Sequence, residues 1–137
     1  MPATLLYRIA SFLFIFFAAG HTFGFLKFTP PTPEGLAVRD AMSSVHFQVQ
    51  GKTFSYRGFY TGFGLYITVY LLFSAFLSWR LGSLATSDPL AIGALGWAFF
   101  AVQVASFVLS WMYFAPLTAV LSALVAICLG WGAWLVQ

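Results

Sequence analysis

The chain has 137 residues, of which 61% are hydrophobic and 7% charged, whereas a soluble domain is about 25% charged. A core of this size cannot hide so much apolar surface, so the surrounding solvent must be lipid. The net charge of +3 comes from six basic and three acidic residues in no run, which excludes a nucleic-acid surface and leaves nucleic acid off the list of partners.

A spanning helix needs about 20 predominantly apolar residues. Four windows qualify, 5–28, 58–80, 90–112 and 114–136. They predict an all-α membrane protein: a single domain over 1–137, built as an antiparallel four-transmembrane-helix bundle with a long structured loop 1 over 29–57. The first window, Arg8 followed by "IASFLFIFFAAG", has the look of a signal peptide. Its apolar run continues through Phe23, Phe25 and Leu26, so a retained helix is expected.

Loop 1 begins at "TPPTPEG", where proline ends the first helix. Val38, Met42, Val45 and Val49 then recur at helical spacing with Arg39, Asp40, Ser43 and Ser44 between them. That spacing predicts a short amphipathic helix at the membrane surface. "VHFQVQGKTFSY" alternates instead, predicting a hairpin over 45–56 turning at Gly51-Lys52, type II′, with Val49 beside Phe54 and Phe47 beside Tyr56. "LGSLATSDP" is expected to be the loop into the third span, and Pro116 a tight turn into the fourth. Lys27, Arg39, Lys52 and Arg57 lie on the loop 1 side and Arg8 and Arg80 on the other, which orients loop 1 to the cytoplasm.

Small residues recur on every span: Gly20/Gly24, Gly58/Gly62/Gly64, Gly96 to Ser110, and Thr118 to Gly130. They are expected at helix contacts. The five tryptophans, mostly near span ends, read as interfacial anchors. The single Cys128 excludes an intrachain disulfide, a CxxC pair and dithiol redox chemistry, and reads as a packing residue.

Polar side chains concentrate in the loop 1 half of the spans: His21, Thr22, Tyr60, Thr61, Gln103, Ser106, Ser110, Thr118 and Ser122. From this asymmetry a semi-polar cavity is expected beneath loop 1, walled by all four helices and lidded by the hairpin. His21, Tyr60, Thr61, Gln103, Ser106, Ser122 and Arg57 are its candidate ligand-binding residues, Arg57 for an anionic headgroup.

His21 is the deepest ionisable group and a functional candidate on that ground. Haem would need a second axial ligand or an open site, with only His46 on offer and no CxxCH. Zinc needs three or four ligands, which the spans lack. As a general base His21 would need an orienting partner, with Tyr60, Thr61, Gln103 and Ser106 the candidates. The competing reading is a neutral histidine bonded to a carbonyl or hydroxyl of another helix. "TGFGL" lacks the third glycine and the flanking strand of a nucleotide site. The spans hold no acid and no repeat, against a driven transporter.

"AAGHTFGF" in the first span and "GKTFSYRGFYTGFGL" entering the second carry a resemblance to uncharacterised small bacterial membrane proteins, DoxX-like in their four-helix architecture. The resemblance covers the whole chain in architecture and these two stretches in motif. It implies the fold and a bacterial inner membrane, and brings no activity. The long loop 1 departs from DoxX proteins and sets aside a redox-partner role. The expected function is binding of a hydrophobic or amphipathic ligand such as a lipid or quinone. Two other readings stay open: an accessory subunit of a larger membrane complex or homo-oligomer, and a small membrane enzyme with His21 as acid–base.

Overall fold

The computed structural model describes residues 2–137. Its elements in chain order are α1 (Ala3–Lys27), α2 (Pro33–Ser44), β1 (His46–Val49), β2 (Lys52–Ser55), α3 (Tyr56–Ser87), a 3-10 turn (Pro89–Ala91), α4 (Gly93–Tyr113) and α5 (Pro116–Leu135). α1, α3, α4 and α5 are long and apolar enough to cross a membrane. Their outward faces carry exposed Phe12, Phe16, Phe73, Phe76, Val120 and Ile127, a surface that only lipid solvates. The protein is an integral membrane protein.

The chain forms two compact units, one of the residues up to Phe17 with Leu71–Gln137, the other of Ala18–Tyr70. The first holds nearly all the core. Tyr7, Phe14, Leu81, Ile92 and Leu129 are fully buried there. Phe14 stacks on Phe99 with centroids 5.8 Å apart. The Tyr7 ring lies in a notch that only glycines leave open: a Cβ on Gly132 would stand 3.2 Å from it, and one on Gly96 3.0 Å from its hydroxyl. Ser11 Oγ donates to the Ala75 carbonyl at 2.8 Å, joining α1 to α3.

The small-residue stripes of α4 and α5 are at contacts as expected. Gly96, Phe99, Gln103 and Ser110 are buried on α4, and Ala119, Ser122 and Ala126 on α5. Pro116 opens α5 after a two-residue link, Phe114-Ala115. "LGSLATS" is helix rather than loop, because Leu81 and Gly82 are buried. A Cβ at Gly82 would meet the Thr4 carbonyl at 3.3 Å, and Thr4 and Thr86 join hydroxyls at 2.8 Å. Packing on the first turns of α1 thus carries α3 on to Ser87.

In the second unit Thr32 caps α2, accepting from Gly35 N at 3.2 Å, with Pro33 in the first helical position. Ser55 accepts from Gly58 N at 3.0 Å and starts α3. The hairpin pairs Phe47 with Phe54 and Val49 with Lys52. Its turn is therefore Gln50-Gly51, both at positive φ (51° and 78°), as type I′ requires. The register differs by two residues from the Gly51-Lys52 expectation. A two-residue slip keeps each side chain on its face, so Phe47, Val49 and Phe54 still share one. Phe47 gathers that face, with ring centroids 6.0 Å from Phe54, 4.8 Å from Tyr56 and 5.6 Å from Phe59.

Candidate functional site: a cleft under α2

The second unit contains a cavity of about 700 Å³. The last turn of α1 supplies Gly24, Phe25 and Leu26, and the chain leaving it Phe28 and Pro30. One face of α2 supplies Gly35, Val38, Arg39 and Met42, and the start of α3 supplies Arg57, Tyr60 and Thr61. Phe28, Val38 and Tyr60 are themselves exposed, so the space is an open cleft and not a sealed chamber. Gly35 lets α2 close against the exit turn, since a Cβ there would stand 2.7 Å from Pro30 Cβ. Gly24 is the opposite case: a Cβ would meet nothing within 4 Å.

Of the seven candidate residues, Arg57, Tyr60 and Thr61 line this cleft. The Thr61 hydroxyl donates to the Arg57 carbonyl of its own helix at 2.9 Å. His21 does not line it. Its Nε2 lies 3.0 Å from the Gly64 carbonyl; a carbonyl only accepts, so Nε2 carries the proton. The same helix pair is joined one turn on. Thr22 Oγ1 donates to the Ala18 carbonyl, and its oxygen stands 2.7 Å from Thr68 Oγ1. Phe25 packs so closely that a Cβ on Gly64 would meet its ring at 2.7 Å. His21 here makes the cross-helix bond to backbone that the structural reading called for.

Gln103, Ser106 and Ser122 do not line the cleft either. Gln103 Nε2 donates to the Ser122 carbonyl and Ser110 shares a hydroxyl contact with Ser122, both at 3.3 Å. Ser106 Oγ donates back to Val102 at 3.0 Å. The cleft is therefore lined by α1, α2 and α3 rather than by all four spans, with α2 in the covering position given to the hairpin. The glycines of α1 are not at helix contacts: Gly20 and Gly24 have no neighbour where a Cβ would point, nor does Gly62 on α3.

Arg39 is the lining residue that sequence reasoning assigned to the polar face. Gly35, Val38/Arg39 and Met42 fall at i, i+3/i+4 and i+7, a signal for its true face. Among the described residues no three of His, Cys, Asp or Glu gather as a metal site would require. His46 Nδ1 donates to the Ser44 carbonyl at 2.7 Å. No protein-family model, no curated protein and no solved structure matches this chain.

Proposed function

We propose that this is a small membrane protein that binds a hydrophobic or amphipathic ligand, a lipid, quinone or similar molecule, in the cleft under α2. The observation that carries the reading is the cleft itself. Its volume of about 700 Å³ falls in the range of small-molecule sites, about 300–1,000 Å³. Its walls are mostly apolar, with Arg39, Arg57, Tyr60 and Thr61 as the polar groups. In this reading the four long helices cross as an antiparallel bundle. The membrane is a bacterial inner membrane, following the resemblance of the two motifs, and loop 1 is cytoplasmic, following the lysine and arginine count. The His21 bond to Gly64 supports a positioning role and lends nothing to the enzyme alternative.

The test fills the cleft without disturbing the packing. Gly24→Phe places a ring where the backbone has no neighbour and removes a helix glycine, the least favourable residue in a helix interior after proline. In native mass spectrometry from mild detergent, the wild-type chain is expected to carry a bound small molecule. The variant is expected to elute identically and lose it. A variant that keeps the same adduct removes the cleft from consideration.

A further inference from the structure

The two charged residues that line the cleft are both arginines, Arg39 and Arg57, and no aspartate or glutamate lines it. Neither guanidinium has a hydrogen-bonded carboxylate. Arg39 pairs with Asp40 across 3.8 Å, too long for a hydrogen bond, and its buried Nε has no hydrogen-bond partner. Among the described residues no carboxylate pairs with Arg57. It is the second residue of α3, whose first turn holds no acid. A helix N-terminus already carries partial positive charge, so a cation there is disfavoured. Arg57 is exposed and Arg39 half-buried, and the buried N–H of Arg39 is a donor that the fold leaves unmet.

We infer that the occupant of the cleft is a single-chain amphiphile with an oxyanion headgroup, its two oxygens held between Arg39 and Arg57 and its chain against Phe25, Val38 and Met42. This rests on the cleft being the binding site. The planar fork of arginine matches carboxylate and phosphate alike, so both head chemistries belong to the class. A space of about 700 Å³ is that of one drug-sized ligand, which selects one chain over a two-chain phospholipid.

The experiment measures binding of palmitate, hexadecyl phosphate and hexadecanol, three probes of equal chain length, to the full chain in nonionic detergent. Both anions are expected to bind about tenfold tighter than the alcohol, the effect of one charge-assisted hydrogen bond. Arg39→Gln and Arg57→Gln each bring the anions down toward the alcohol. Both variants are expected to keep the wild-type midpoint of thermal unfolding in detergent, which shows that they fold. Arg57→Lys keeps most of the preference. Three results overturn the inference, each differently. Equal binding of all three probes, abolished by Gly24→Phe, leaves the cleft as the site and removes the anionic head. Binding that Gly24→Phe does not touch removes the cleft itself. Displacement of palmitate by inorganic phosphate alone makes the site one for a free anion.

Discussion

The two units of this protein are built on opposite terms. In the unit that contains α4 and α5, ring on ring and ring on glycine leave no room: Tyr7, Phe14 and Leu129 are fully buried. In the unit of Ala18–Tyr70, only Ala18 and Gly64 are buried. That unit is held instead by the bond from His21 to Gly64, the threonine pair, helix caps and the rings around Phe47. The difference separates support from site. Lipid tails are as apolar as a leucine side chain, so helices in a membrane associate by close packing and hydrogen bonds rather than by hiding from water. The tightly packed unit uses both, the open unit mainly the second, and the open unit has the space for a ligand.

One substitution made in both units breaks or sharpens this contrast most. Gly96→Phe drives a ring into Ile92, Tyr7 and Ala133, whose nearest atoms lie 2.9 to 3.3 Å from the Cβ position. It is expected to lower stability by about 1–3 kcal/mol or to prevent folding, read as a fall in the midpoint of thermal unfolding in detergent. Gly24→Phe is expected to leave that midpoint unchanged or slightly raised. Equal losses for the two would end the distinction between packed and open units.

Gly35→Ala comes next. Its methyl meets Pro30 Cβ, a rigid ring carbon with no room to yield. The expected loss is about 1–2 kcal/mol, confined to α2. Hydrogen exchange should rise over Pro33–Ser44 while α4 and α5 stay protected. Faster exchange in α4 as well would show that the units do not open separately.

The smallest effect is expected for His21→Phe. It removes one cross-helix hydrogen bond, worth about 0.6 kcal/mol in a membrane interior, and leaves palmitate binding in place. If the fold survives and palmitate binding disappears, His21 touches the ligand.

The legible parts of the fold were those where periodicity meets a crowded neighbour. Ser122 and Ala126 stand one turn apart on α5 and are both buried; spacing alone marked that face. Spacing also marked Gly20 and Gly24, yet these face nothing. A glycine repeat says that close approach is allowed, not that a partner comes. The hairpin face was readable from alternation, while its turn was not, because positive φ at Gln50 is a choice that the residue type does not announce. The helical end of α3 was missed because "SLATS" is polar and weakly helical, and packing on α1 overrides that preference. For the site, Arg57, Tyr60 and Thr61 were reachable from depth along one helix. Counting along the helices assigned Gln103 and Ser122 to the same depth, but depth carries no angular information, and Gln103 donates instead to the Ser122 carbonyl between α4 and α5. Arg39 was hidden by its charge, since amphipathic patterning assigns a charged residue to the wet side, and only an apolar cleft in need of a polar end reverses that.

The length of α3 has its own consequence. Its 32 residues rise about 48 Å at 1.5 Å each, against a hydrocarbon thickness of about 30 Å. The 20 residues of α5 match that thickness. α3 overshoots, and a rod that overshoots must tilt, thicken the bilayer around it or carry its ends into the headgroups. Its ends are suited to the last of these, with Arg57 at one and Ser83, Thr86 and Ser87 at the other. Bilayer thickness is therefore a variable to which this protein should respond: thinning the membrane exposes more of the α3 ends to water, and thickening it draws Arg57 toward hydrocarbon.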